Sequence, residues 1–205
     1  MSKYHHGDLR NTLMAIATEL LITKGIHTLS LRKIAQKAGV SHNAPYMHFA
    51  DKEAVLAAIA LEGFRLLSEE IEVAIAVAGD NIRQQLLALS HAYVKFAIAH
   101  PNHIQVMFCA YDEAKYPDLC EASQLALNRL LTIVQMGQEN GSLVKGNAYE
   151  VTKSIWAMVH GIAAISIAYK TSIMLPEKNT TEDAVSAMVN LLFDGISRHS
   201  NERDM

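Results

Sequence analysis

Apolar residues in this chain recur three and four positions apart, and nowhere do β-branched residues alternate with polar ones over a run. That spacing is the period of an α-helix, whereas a half-buried strand needs alternation. Only four of the 205 residues are proline, so little interrupts long helices. Half of the chain is hydrophobic, which allows a sizeable core and argues against disorder. The expected fold is all-α, with about nine helices between the Gly and Pro breakers.

Cys109 and Cys120 are the two cysteines, and they form no CxxC pair. They imply neither a disulfide framework nor a zinc finger, suit a reducing cytoplasm, and are expected as buried small hydrophobes. The start, MSKYHHGDLRNT, lacks the apolar core of a signal peptide. The most apolar stretch, IWAMVHGIAAISIAY from Ile155 to Tyr169, carries His160 and is short for a membrane span. A soluble protein with no membrane partner is expected. The net charge of −3 is unevenly spread. Residues 1–52 hold seven Lys and Arg against three acidic residues, and the remainder holds eleven against eighteen. A basic head on an acidic body implies that the head alone meets a polyanion.

Asp8 is placed to cap a first helix carrying Leu9, Leu13, Ile16, Ala17, Leu20 and Leu21, with Gly25 as a left-handed stop. Ser30 caps a short second helix, LRKIAQKAG, whose Leu31, Ile34, Ala35 and Ala38 share a face, and Gly39 ends it before a buried Val40. Ser41 or Asn43 opens a third short helix with Pro45 in its first turn. Asp51 caps a long helix to about residue 77. Further helices are expected over roughly 81–99, 102–109, 118–139, 148–170 and 182–198. Asn147 with Glu150, and Thr180 with Asp183, stand at capping-box spacing.

Two short helices joined at Gly39 and braced by a third make a helix-turn-helix, whose second helix enters the major groove of DNA. The segment GVSHNAPYMHF then has its polar side chains outside the core because a duplex is to satisfy them. His42 and Asn43 suit base edges, and Ala44 suits a thymine methyl. Tyr46 and His48 are placed for phosphates, as are Lys52 and the amides after Asp51 at a helix N-terminus. Arg32 reaches a base or a phosphate. The competing reading is a polar surface turn with Tyr46 and Phe49 tucked inward.

The stretch TLSLRKIAQKAGVSHNAPYMHFADKEAVLAAI, Thr28 to Ile59, follows a first helix ending in TKG and contains Tyr46-Met47-His48-Phe49 before Asp51-Lys52-Glu53. It resembles the DNA-binding domain of TetR-type transcriptional regulators. YHHGDLR and WAMVHG resemble the subgroup named for a Trp-His-Gly carboxyl-terminal domain. The resemblance implies a DNA-binding domain over 1–52 and an effector-binding and dimerisation domain over 53–205, joined by helix 51–77. It points to Ser30, Arg32, Ser41, His42, Asn43, Ala44, Tyr46, His48 and Lys52 as DNA contacts, although Ser30 and Ser41 also read as plain helix caps. His42, Asn43 and Ala44 would set sequence preference.

In the body, Ile155, Met158, Ile162 and Ile165 lie in a helix apolar nearly all round, and Val185, Met188, Val189, Leu192 and Ile196 form a second stripe. Both read as internal packing or as an interface. The resemblance favours an interface, a two-fold dimer on a palindromic operator with heads ~34–36 Å apart. It also implies a small-molecule cavity, for which Tyr93, Phe96, Met107, Phe108, Tyr111, Trp156 and His160 are the lining candidates. Each is equally a core residue, and His160 equally a histidine donating to a backbone carbonyl. His100, His103 and Cys109 offer no regular metal spacing, so a surface loop is expected there. No cofactor is expected. The expected function is a ligand-released repressor. The competing classes are a helical protein-binding adaptor and an enzyme using His160 as base, for which no nucleophile elbow, phosphate loop or paired-carboxylate motif is present.

Overall fold

The computed structural model describes residues 6–168 and 180–196. Eight α-helices account for most of them: α1 (His6–Lys24), α2 (Leu31–Ala38), α3 (Lys52–Ala78), α4 (Ile82–Ala99), α5 (Pro101–Met107), α6 (Pro117–Glu139), α7 (Ala148–Ala168) and α8 (Thr181–Ile196). The described residues contain no strand, and two single-turn 3₁₀ helices lie at Ile26–Thr28 and Pro45–Met47. The chain divides into two compact units. The first holds residues up to Phe64 and Asn102–Glu121, and the second holds Arg65–Pro101 and the residues from Ala122 onward. This division differs from a boundary after residue 52, because the first half of α3 and residues 102–121, with nearly all of α5 and the start of α6, group with the head.

In the first unit α1 packs on α2. Leu13, Ala17, Leu20 and Leu21 of α1 are buried, as are Leu31, Ile34 and Ala35 of α2, in the expected helical spacing. The helix α1 is already formed at His6, so Asp8 lies inside its first turn and not before it. Ser30 does cap α2, its Oγ accepting the Lys33 N–H at 3.3 Å. Gly39 closes α2 at φ 67° and ψ 28°, with its N–H shared between the Ala35 and Gln36 carbonyls. The Val40 N–H returns to the Ala35 carbonyl at 3.1 Å, completing a glycine-based C-cap, and its side chain is half-buried. Gly25 has positive φ but ψ 165°, so the chain leaves α1 in an extended glycine conformation and not in the expected left-handed helical one.

The second unit is organised around α4, which packs against α7 and α8. Leu86, Leu89, Tyr93, Phe96 and Ala97 of α4 are buried, together with Thr152, Ile155, Val159 and Ala163 of α7 and Val185 and Val189 of α8. Ile155, Val185 and Val189 are thus sealed inside their own subunit. This corrects their expected place in a dimer interface, because each is almost wholly covered within one subunit. Length and composition alone would let α7 cross a bilayer, yet one of its faces is core. Arg83 ties α4 to α8, donating to Asn190 Oδ1 at 2.9 and 3.1 Å and lying over the Phe193 ring. At the start of α8, Thr180 and Asp183 form a reciprocal capping box, with each backbone N–H bonded to the other's side chain. Those bonds hold the Asp183 carboxyl below its usual range. At α7, Asn147 caps through the Tyr149 and Glu150 amides, while Glu150 pairs with Lys153 instead of reaching back.

Candidate nucleic-acid interface

The segment after Gly39 is not an α-helix. Ala44 N–H bonds to Ser41, Tyr46 to Asn43, Met47 to Ala44 and His48 to Pro45, all from residue i+3 back to i. Pro45 has no N–H to give an i→i−4 ladder, and its ring fixes φ, so the backbone winds as successive tight turns ending in a 3₁₀ turn. Pro45 and Phe49 are buried beneath this segment, Phe49 to 4% exposure. Their burial fixes the direction of the rest. Ser41, His42, Asn43, Tyr46 and Met47 are exposed, Tyr46 to 56%, while Ala44 and His48 are half-buried. The inward-tucked alternative therefore holds for Phe49 and fails for Tyr46.

Around it, Arg32 and Lys33 are exposed on α2, and Lys52 is half-buried at the first position of α3. None of these three cations forms an ion pair among the described residues, whereas Lys37 is paired with Glu19. Arg10 of α1 stands over the face of Phe49, its guanidinium carbon 5.3 Å from the ring centre. Asp51 caps α3, its Oδ1 accepting the Ala54 N–H at 2.8 Å. That bond, followed by Lys115 beside it, holds the Asp51 carboxyl below its usual range. It also corrects part of the expected phosphate site, since the Ala54 amide is already taken by the cap. One further cation was not legible locally. Lys115, from the α5–α6 connection, reaches Asp51 Oδ2 at 3.3 Å and Glu53 Oε2 at 3.1 Å.

The seven cavity candidates separate. Met107, Phe108 and Tyr111 belong to the first unit, and Tyr93, Phe96, Trp156 and His160 to the second. Met107 is buried against Gly63, Phe108 meets Phe64 edge-on, and the Tyr111 hydroxyl donates to the Val106 carbonyl at 2.8 Å. Phe96 is fully buried beside His100. Tyr93, Trp156 and His160 do come together: the Tyr93 hydroxyl lies 2.6 Å from His160 Nδ1, and the Trp156 ring stacks on His160 at 5.4 Å. Burial pushes the Tyr93 phenol up and the His160 imidazole down, so the phenol donates to a neutral imidazole. At Nδ1 the imidazole thus accepts from a phenol.

None of the seven lines the large open groove of the second unit, of about 1120 Å³. Its apolar wall comes from Val73, Val77, Ile98 and Val185, and Glu69, Glu70, Lys95 and Glu182 edge it. Trp156, Met158 and Ile165 are exposed on α7 and Leu191 on α8, while Ile162, Met188 and Leu192 are half-buried. The Ile196 side chain lies outside the described residues. Cys109 is exposed and Cys120 half-buried, contrary to the expected buried thiols. His103 is buried in α5 and not in a surface loop.

A head that packs α1 on α2 and holds a polar segment outward beside unpaired cations is the arrangement of a helix-turn-helix DNA-binding regulator. Residues 13–59 match the family described as bacterial regulatory proteins, tetR family, and residues 86–192 match the tetracyclin repressor-like C-terminal domain. The uncharacterized HTH-type transcriptional regulator YobS of Bacillus subtilis (strain 168) is 22% identical over 160 residues, covering 78% of this chain and 79% of that one. The tetracycline repressor protein class A from transposon 1721 of Escherichia coli is 31% identical over 96 residues, 47% of this chain and 43% of that one. A solved protein with unknown function from Rhodococcus sp. RHA1 superposes with a TM-score of 0.84 at 32% identity, covering 97% of this chain and 100% of that one. The chain belongs to the TetR family of bacterial transcriptional regulators.

Proposed function

We propose that this regulator is a cytoplasmic repressor that binds a palindromic operator as a homodimer and releases it when a small hydrophobic effector binds. The observation that carries this reading is the exposed row Ser41, His42, Asn43 and Tyr46, held outward by the buried Pro45 and Phe49. Asn43 and His42 read base edges, with Ala44 against a thymine methyl. Tyr46, His48, Lys52 and Arg32 hold phosphates, while Ser30 and Ser41 add contacts where the helix ends approach the backbone. Dimerisation uses the apolar residues that one subunit leaves uncovered, Met158 and Ile165 of α7 and Leu191 of α8, joined by the half-buried Ile162, Met188 and Leu192. The groove walled by Val73, Val77, Ile98 and Val185 suits an apolar molecule with a polar end, given its charged rim. The Tyr93, Trp156 and His160 cluster is the second place where such a molecule finds aromatic contacts. A coupling of only ~1–3 kcal/mol between effector and operator suffices for release.

Selection of genomic fragments by the full chain, followed by sequencing, tests the reading. A two-fold symmetric site is expected, with half-sites centred about one helical turn or a multiple apart. A reporter driven through that site should fall when the protein is supplied. Fragments sharing no symmetric sequence would remove the operator, and a reporter that rises would make the protein an activator.

A further inference from the structure

The start of α3 poses an electrostatic problem that the reading segment does not solve. Asp51, Lys52 and Glu53 together carry one net negative charge at the place where a phosphate is to dock. Asp51 is needed there as the cap of a 27-residue helix. Its charge stands well within a Debye length of ~10 Å of anything bound at Lys52. Lys115 cancels it, bonded to both flanking carboxylates although 64 and 62 residues away in sequence. It is also held from behind. Its Nζ lies 5.0 Å from the centre of the Tyr116 ring. Tyr116 meets Tyr111 edge-on at 5.9 Å, and the Tyr111 hydroxyl is anchored on the Val106 carbonyl at the end of α5. The Lys115 and Tyr116 amides both bond to the Asp112 carbonyl, which fixes the turn. The ammonium therefore stands on an aromatic pedestal and not on a free loop.

We propose that Lys115 is a positioning residue for DNA binding: it neutralises Asp51 and Glu53 so that Lys52 presents its charge to a phosphate, without touching the phosphate itself. The inference rests on the operator-binding reading above. Exposed ion pairs contribute little to stability, and Lys115 with its partners is substantially exposed. Its loss should therefore register in DNA affinity and scarcely in unfolding.

The test compares the full chain with Lys115→Met, Lys115→Arg and Lys115→Met combined with Glu53→Gln. Each binds a selected operator duplex and an unrelated duplex of equal length across a salt series. Lys115→Met should weaken both duplexes by about three- to ten-fold near 0.1 M salt, with the salt slope and the unfolding midpoint unchanged. Lys115→Arg should bind as the parent does, and Glu53→Gln should recover most of the loss. Wild-type affinity in Lys115→Met, absence of rescue, or a lowered unfolding midpoint each overturns the inference. So does a slope smaller by ~0.9, which would make Lys115 a direct phosphate contact. The Lys52→Ala variant keeps the two readings apart. If Lys52→Ala loses affinity and Lys115→Met does not, only this inference fails; if Lys52→Ala binds as the parent does, the phosphate site itself is wrong.

Discussion

Two tyrosine–histidine pairs, one in each unit, sit under opposite conditions. Tyr46 and His48 sit in the head, where Tyr46 is exposed and its hydroxyl has no hydrogen-bond partner among the described residues. Tyr93 and His160 sit in the body, where the phenol and the imidazole satisfy each other at 2.6 Å. Burying polar groups without partners is costly, so the body pair must be complete within the subunit. In the head pair Tyr46 is exposed and His48 half-buried, so the pair is left to take a partner from outside. The same side chains are thus structural in one unit and available for recognition in the other. What separates them is whether hydrogen-bonding capacity is used up internally.

The largest effect that should separate the two is on stability. Tyr93→Ala removes a buried aromatic ring and is expected to cost about 3–5 kcal/mol in chemical denaturation, whereas Tyr46→Ala should stay within about 0.5 kcal/mol. Equal losses would break the comparison. Next, His48→Ala with Lys52→Ala should weaken binding to any duplex and lower the slope of log affinity against log salt by roughly 0.9, the share of the Lys52 charge. An unchanged slope in a filter-binding series would mean that Lys52 does not hold a phosphate. Gly39→Ala forces a side chain to φ 67° and should cost about 1–2 kcal/mol while disturbing the turn into the reading segment. Circular dichroism melts alongside binding would show both losses, and stability intact in the variant would count against the cap. The smallest effect concerns pH. His160 is held below its ordinary 6.5 by burial, so the unfolded chain takes up the proton first as pH falls. Its contribution is full above about pH 6.5 and is lost as pH drops from there toward the lowered native value, reduced by its partial exposure. Denaturation of His160→Gln between pH 5 and 7 should show a shallower pH dependence than the parent, and identical curves would remove the assignment.

The sequence carried the helices well because their signals are local. Ser30, Asp51 and Thr180 announce caps by identity and spacing, and each is seen to cap. The all-α class followed from the apolar period alone. The third short element winds more tightly than the expected helix, since Pro45 at a first turn is compatible with either winding. In the body, apolar residues on α7 and α8 share one composition whether they face α4 or solvent, so periodicity did not separate Ile155 from Met158. Lys115 was invisible for another reason, since nothing local links it to carboxylates 62 and 64 residues earlier. The groove likewise arises where α8 joins the consecutive α3 and α4 from far along the chain, and its walls are valines and an isoleucine that mark nothing by themselves.

The winding of the segment from Ser41 to His48 sets a pitch. Three residues to the turn at ~2.0 Å each advance ~6 Å, so Asn43 and Tyr46 project from the same edge about that far apart. Stacked base pairs repeat every ~3.4 Å, which makes this interval slightly short of two rungs. Under the proposed reading, a winding this tight would let the backbone come nearer the floor of a groove, within reach of short side chains such as those of Asn43 and Ala44.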